Sequence, residues 1–286
     1  VRILISNDDG IYSPGLLALA EVAAEFGTVR IVAPSVEQSS MGHAITPSRP
    51  LSYRATRIRD FDAFSVNGTP ADCVALGAYH WEKAEIVLSG VNLGYNLGNS
   101  IWHSGTLAAA KQAALLGLRG IAFSAPARVE PDYEQLKPWV RKALQVLLAE
   151  GTLPLVNVNL PREPRGMIWS EVSVRRYDGH VVPTKDPAGR DLFWFTVRPI
   201  EGAEAGTDRW AVEQGWVSLT PLRLDLTDHE ELREARSRLP LDEALAVTLS
   251  PAKSSPEAAK SVRQDEAQGP LESAPQAEGA EAIRPR

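Results

Sequence analysis

A second cysteine is missing, and with it any disulfide within the chain: Cys73 is the only one in 286 residues. It stands in an apolar, helix-like stretch and reads as a small buried hydrophobe rather than a nucleophile. A surplus of positive charge is missing too. The formal net charge is −6, whereas a surface for polymeric nucleic acid needs basic stripes to displace counterions from phosphates. Any phosphate handled here is therefore expected to be a small ligand held in one local site. No apolar run approaches the roughly 20 residues of a membrane span, and the N-terminus enters a strand pattern directly, without a basic segment and an apolar signal region. Together with the lone cysteine this gives the expectation of a cytoplasmic protein. Several motifs are absent as well. Without Gly-x-x-x-x-Gly-Lys-Ser/Thr, P-loop chemistry is disfavoured, and without Gly-x-Gly-x-x-Gly, so is a dinucleotide oxidoreductase. No Gly-x-Ser-x-Gly elbow points to an ester hydrolase, and the two carboxylates at 8 and 9 are adjacent where a phosphoaspartate mechanism needs them alternate.

What is present is an alternation of strand and helix patterns. Val1 to Ser6 is a short β-rich run, followed by Asn7-Asp8-Asp9-Gly10 and by Pro14, which suits a first helical turn. Helical spacing through Leu16, Leu19, Ala20 and Ala23 ends at Gly27, and Val29 to Ala33 is a second strand. Further strands are predicted at Ile86 to Ser89, Ile121 to Ser124 and Leu155 to Val158, with helices at Pro70 to Tyr79, Gly105 to Leu116 and Tyr133 to Glu150. The fold class is α/β: a Rossmann-like, mostly parallel sheet with helices on both faces. Beyond Leu160 the pattern changes. Ile168 to Tyr177 and Asp191 to Val197 read as two long strands of a projecting β-hairpin arm, roughly 168–197, whose Trp169, Phe193, Trp194 and Phe195 either pack on the body or, the favoured reading, face another subunit. A strand at Trp216 to Leu219 and a helix around Glu230 to Arg236 follow. One domain is thus expected over residues 1–250. Residues 251–286, rich in Pro, Ala and Glu and without an aromatic, read as a disordered tail.

Three constellations carry chemistry. Asp8 and Asp9 close the first strand, where ligands of open parallel sheets bind; adjacent carboxylates there suit a hard cation such as Mg²⁺ or Mn²⁺, although taken alone they serve equally as a solvated loop capping the next helix. Ser89-Gly90-Val91-Asn92-Leu93-Gly94-Tyr95-Asn96-Leu97-Gly98 follows another apolar strand, with glycines that allow close backbone approach and amide oxygens that can ligate. A few residues on, His103-Ser104-Gly105-Thr106 opens a helix, a ready anion site unless it is only a cap. In the loop after the second strand, Glu37-Gln38-Ser39-Ser40-Met41-Gly42-His43, a serine oxygen could complete a coordination shell, and His43 and His103 are candidate proton carriers.

Taken together, Ser6-Asn7-Asp8-Asp9-Gly10, Asn67-Gly68-Thr69-Pro70-Ala71-Asp72-Cys73, the Ser89 to Gly98 segment, Ser104-Gly105-Thr106, Gly206-Thr207-Asp208 and Val217-Ser218-Leu219-Thr220-Pro221-Leu222 resemble the SurE family of survival-protein nucleotidases, in order, to about residue 245. The resemblance implies a cytoplasmic, metal-dependent phosphatase of nucleoside 5′- and 3′-monophosphates. It also implies a homodimer or homotetramer that exchanges a hairpin or C-terminal oligomerisation element. By position, one divalent ion, Mn²⁺ or Mg²⁺, falls to Asp8, Asp9, Ser39 and Asn92, and the phosphate to Asn96, Ser104, Gly105 and Thr106. Two positions depart from the usual pattern: Ser40 where many relatives have glycine, and His103 where tyrosine is usual. The expected reaction is attack of metal-activated water on phosphorus, with Asp8 or Asp9 orienting the water and either His103 or a metal-bound water as the acid for the leaving group. The competing reading is a nucleotide- or phosphate-binding regulatory module without turnover.

Overall fold

The alternation of side chains along the first strand, β1 (Arg2–Ser6), decides the layering of the protein. Ile3 and Ile5 point to one side of the sheet, where they join Leu16 and Leu19 of helix α1 (Pro14–Ala23) and Val140 and Leu144 of α4 (Tyr133–Glu150) in the main apolar core. Leu4, between them, points to the other side and meets Cys73 and Val74 of α2 (Pro70–His80) and Ala109 and Ala113 of α3 (Gly105–Leu115). A strand buried on both faces needs apolar residues at every position, and Ile-Leu-Ile supplies them. Cys73 is fully buried, as its setting in the sequence predicts.

The computed structural model describes residues 1–82, 84–127, 131–173, 179–197 and 202–238. The remaining strands of the main sheet are β2 (Thr28–Pro34), β3 (Tyr53–Ile58), β4 (Phe61–Val66), β5 (Ile86–Leu93), β6 (Arg119–Ala125), β7 (Leu155–Asn159), β8 (Gly166–Trp169) and, after a separate hairpin, β11 (Trp216–Pro221). Their order is β3-β4-β2-β1-β5-β6-β7-β11-β8, and the run from β4 to β7 is parallel throughout. The expected mostly parallel sheet with helices on both faces is what forms. Within this sheet, among the described residues, only β3 against β4 and β11 against β7 are antiparallel.

Helix starts obey local chemistry. Ser13 caps α1 by accepting from the Leu16 N–H, with Pro14 in the first turn. Thr69 and Asp72 form a reciprocal capping box on α2. Asp132 caps α4, which ends at Gly151 in the left-handed region.

Two elements differ from the sequence reading. The hairpin arm is formed by β9 (Gly179–Lys185) and β10 (Asp191–Val197), so the segment expected to connect its strands is itself a strand. Ile168 and Trp169, assigned by pattern to the arm, pair in parallel with β11 at the edge of the main sheet instead, and residues 174–177 of that expected strand lie outside the described residues. Pro183 inside β9 is tolerated because a two-stranded ribbon has two free edges. Val181, Leu192, Phe193, Trp194 and Phe195 of the arm, and Trp169 of β8, are exposed.

Val1–Leu226 forms one compact unit and Thr227–Arg286 another. The first ends its helices with α5 (Asp208–Glu213), and the described part of the second is α6 (His229–Arg238), with Glu230 and Glu231 in its first turn and Arg236 and Arg238 in its last, the arrangement the helix dipole favours. The expected tail at 251–286 lies outside the described residues, as does most of the expected C-terminal oligomerisation element. Among the described residues, no helix is long and apolar enough to cross a membrane.

Candidate active site

From β1 the chain turns to β2 on one side, while β5 lies on the other, so the carboxyl end of β1 is the point where strand order reverses. Such a reversal opens a crevice, because the loops on either side diverge. Asp8 and Asp9 stand there. Their loop is rigid: Asn7 Nδ2 donates to the Gly10 carbonyl at 2.9 Å and to Ser13 Oγ at 2.7 Å, tying the turn to the cap of α1.

Asp8 is buried, and Thr106 Oγ1 donates to its Oδ1 at 2.6 Å. The carboxylate thus sits at the N-terminal turn of α3, where backbone N–H groups lack helical partners and favour negative charge. Burial nevertheless dominates. Desolvation pushes the Asp8 carboxyl from 3.8 up to about 6, opposed by the Thr106 hydrogen bond and assisted by repulsion from Asp9. Gly105 is essential to this packing, since a Cβ there would lie 2.7 Å from the Asp8 Cβ and 2.9 Å from its Oδ2. Asp9 is less buried. Its Oδ2 accepts from the Leu93 N–H at 3.0 Å, and its carboxyl is also raised, by desolvation first and then by the nearby Glu37 charge, with the Leu93 bond opposing.

The other two expected ligands come from neighbouring loops. Asn92 is the penultimate residue of β5, and its Nδ2 donates to the Gly94 carbonyl at 2.7 Å, which leaves Oδ1 as the end it can offer. Ser39 is exposed on the loop after β2, and its Oγ donates to Glu37 Oε1 at 2.6 Å. That loop is fastened at both ends: the Gln38 N–H donates to the Asp8 carbonyl at 2.8 Å, and the Gly42 N–H to the His103 carbonyl at 3.0 Å. Each of the four side chains therefore has one atom anchored by the protein and keeps an oxygen with lone pairs to give.

The donor set suits a hard divalent cation. Two adjacent, largely desolvated carboxylates demand positive charge, and among the described residues no lysine, arginine or histidine forms an ion pair with either. Nor do three acidic, histidine or cysteine side chains converge anywhere among the described residues. Two carboxylates completed by neutral hydroxyl and amide oxygens is an oxygen-only set, which disfavours zinc or copper.

The residues expected at the phosphate are brought together, but their donors are partly committed. Ser104 Oγ accepts from the Leu107 N–H at 3.0 Å as the cap of α3 and keeps its own proton. Thr106 spends its proton on Asp8. Asn96 is buried, with Nδ2 donating to Ser124 Oγ at 2.8 Å and to Thr106 Oγ1 at 3.4 Å. His103 is exposed at the turn before α3. His43 is bonded to Gln112 Oε1 through Nε2 at 2.9 Å.

Sequence reasoning missed Ser124, Asn157 and Asn159. Asn159 holds the Asn96 backbone at both ends, accepting from its N–H at 3.0 Å and donating to its carbonyl at 3.1 Å, and Asn157 Nδ2 donates to the same carbonyl at 2.8 Å. The signal was there: two asparagines on one face of a strand whose neighbours are buried and apolar have to be bonded to something.

Comparison with known proteins points to one family. The profile of the family described as Survival protein SurE matches residues 3–179. The chain is 44% identical over 236 residues to 5′-nucleotidase SurE 1 of Thermus thermophilus, covering 80% of this chain and 94% of that protein. It is 41% identical over 249 residues to 5′-nucleotidase SurE of Deinococcus radiodurans, covering 84% and 93%. Among solved structures, the SurE protein from Aquifex aeolicus superposes with a TM-score of 0.73 at 37% identity, covering 83% of this chain and 99% of that one.

Proposed function

The chain belongs to the survival protein SurE family, and from that premise we propose that it is a phosphohydrolase of the 5′-nucleotidase kind. It removes phosphate from nucleoside monophosphates with one divalent cation, Mn²⁺ or Mg²⁺, held by Asp8, Asp9, Ser39 and Asn92. The observation that carries this reading is the pair of desolvated carboxylates at the sheet's reversal point, both raised in pKa and without a cationic partner among the described residues.

When bound, such a cation supplies Lewis-acid polarisation of the phosphoryl group and acidifies water. The chain's own residues do the rest. Asp8, fixed by Thr106, or Asp9, fixed by Leu93, orients the attacking water and takes its proton. Ser104 with its remaining proton, and the Gly105 N–H at the start of α3, stabilise charge on the phosphoryl oxygens, the Thr106 and Leu107 N–H groups being engaged by Asp8 and by Ser104 Oγ. Asn96 reaches that turn through Thr106 and shapes it. His103, at the exposed turn, is the candidate to protonate the leaving alkoxide. A binding module without turnover is disfavoured, because two carboxylates at the mouth repel an anion that is only to be captured. The cytoplasm, as the compartment, and a homodimer or homotetramer joined through the exposed aromatic arm complete the reading.

The test is phosphate release from nucleoside 5′- and 3′-monophosphates with Mn²⁺ or Mg²⁺ against chelator. Release that needs the metal is expected, and no release with any metal refutes the reading.

Thr106→Val gives a finer check. Losing the hydroxyl that stabilises ionised Asp8 moves that carboxyl still higher, so protons compete better with the cation. Mn²⁺ affinity by calorimetry is expected to fall about tenfold at pH 6 and much less at pH 8. An equal fall at both values would mean that Thr106 shapes the site without tuning Asp8.

A further inference from the structure

A cleft of about 450 Å³ opens beside the paired carboxylates, and its walls include Asp9, Tyr12, Val36, Glu37, Ser39 and Leu93. Two of the proposed cation ligands are thus part of its lining. The volume falls within the span of small-ligand clefts, about 300–1,000 Å³. Three of these side chains are unusual for their position. Tyr12 is 72% exposed, Val36 63% and Leu93 44%, so an apolar surface is left in water directly beside a charged site.

Tyr12 is exposed yet held. It leaves the loop between β1 and α1, and its hydroxyl shares a hydrogen bond of 3.0 Å with Thr56 Oγ1 on the edge strand β3. The ring is fixed at the backbone and at the hydroxyl, and its face stays open. Fixed aromatic faces stack nucleobases with little dependence on which base, since every base offers a π-face.

Charge narrows the occupant further. Glu37 and Asp9 line the same cleft, and among the described residues none of its lining is basic. A second phosphate there would meet two carboxylates with no counter-charge, whereas a neutral base would not.

We propose that this cleft seats the base of the substrate nucleotide, with the ring of Tyr12 as its stacking platform and Val36 and Leu93 as apolar walls. This rests on the nucleotidase reading and names what gives that site its preference for nucleotides. It follows that nucleoside monophosphates are preferred over inorganic polyphosphate, and that selectivity among bases is weak.

The experiment compares adenosine 5′-monophosphate with ribose 5-phosphate, which lacks a base, in the full chain with Mn²⁺. In Tyr12→Ala, KM for the nucleotide is expected to rise about tenfold, while kcat/KM for ribose 5-phosphate stays within about twofold, consistent with an exposed side chain. Tyr12→Phe keeps the face and loses only the tether to Thr56, and retains most of the preference. An equal loss on both substrates in Tyr12→Ala, or no change on either, overturns the proposal. If the native protein releases phosphate from neither, the nucleotidase reading fails separately. Calorimetric binding of adenosine 5′-monophosphate then decides the seat: about tenfold weaker binding to Tyr12→Ala supports it, and unchanged or absent binding overturns it.

Discussion

Asp8→Asn is expected to abolish turnover while making the metal-free protein more stable at neutral pH. The two effects share a cause. Asp8 is buried, and its carboxyl is raised from 3.8 to about 6, so the folded state holds that proton more tightly than the unfolded chain does. Between those two values the folded protein binds more protons than the unfolded one, and stability therefore falls as pH rises through the window. Above pH 6 the loss is complete and amounts to about 3 kcal/mol. Asp9, also raised, adds to it in the same direction. An asparagine at position 8 keeps the shape and an acceptor for Thr106 but carries no charge to desolvate. At pH 7 without metal the variant is expected to melt about 5–10 °C higher than the native protein. At pH 4 the two should converge.

A divalent cation reverses the comparison for the native protein, since anything that binds only the folded state stabilises it. Added Mn²⁺ is expected to raise the native melting temperature and to leave that of Asp8→Asn nearly unchanged. Turnover should drop by at least about 10³-fold, the scale of losing several kcal/mol of charge stabilisation. Calorimetric melts at pH 4 and 7, with Mn²⁺ and with chelator, check all of this. A variant less stable than the native protein at pH 7 in chelator would show that Asp8 is not held against a desolvation cost.

Gly105→Ala is expected to lower kcat about 100-fold, although it adds one methyl group and no charge. That methyl would stand 2.7 Å from the Asp8 Cβ and 2.9 Å from Oδ2, closer than real Cβ contacts come, and both partners are rigid. Asp8 stands two residues beyond a strand paired on both sides, in a turn tied to the cap of α1, and Gly105 opens a helix whose next residue grips the same carboxylate. Something has to move, and reacting groups misplaced by about 1 Å cost about this much. Overpacking of this kind should cost about 1–3 kcal/mol of stability, so the fold survives. The readouts are steady-state kinetics, far-ultraviolet circular dichroism and Mn²⁺ affinity. Native kcat in a folded Gly105→Ala protein would mean that the carboxylate tolerates displacement and is not the aligned group described above.

Much of the fold could be read locally. β1, the turn Asn7-Asp8-Asp9-Gly10, the Pro14 start of α1 and the full span of α4 are where hydrophobic period and capping chemistry predict them. Each depends on neighbours within a few residues, and Ser13, Thr69, Ser104 and Asp132 cap their helices with their own side chains. β3 and β4 escaped notice. Arg54, Arg57 and Asp62 interrupt any apolar run, and the two strands exist because each pairs with the other and β4 also lies along β2. The arm was displaced in the sequence reading for a related reason: an isolated ribbon with little burial leaves a weak period, and Pro183 inside β9 reads as a break.

The loops at strand ends and the helix start at Ser104 could be picked out locally, while the choice of Asp8, Asp9, Ser39 and Asn92 as cation ligands is what the family resemblance implies. The roles at that helix start were less legible. Ser104 and Thr106 were paired as equivalent hydroxyls, yet one caps a helix and the other holds a carboxylate 98 residues away.

By itself the sequence determined the alternation of strands and helices, the helix starts and the residue types that gather at strand ends, since these follow from side-chain period and from hydrogen bonds reaching three or four residues. Only the tertiary structure decided that strand order reverses at β1, that Thr106 grips Asp8, that Asn159 holds Asn96 across 63 residues, and that Tyr12 is tethered to Thr56 above an open cleft. Those pairings join segments far apart in the chain, and no local pattern encodes a partner that packing alone brings within 3 Å.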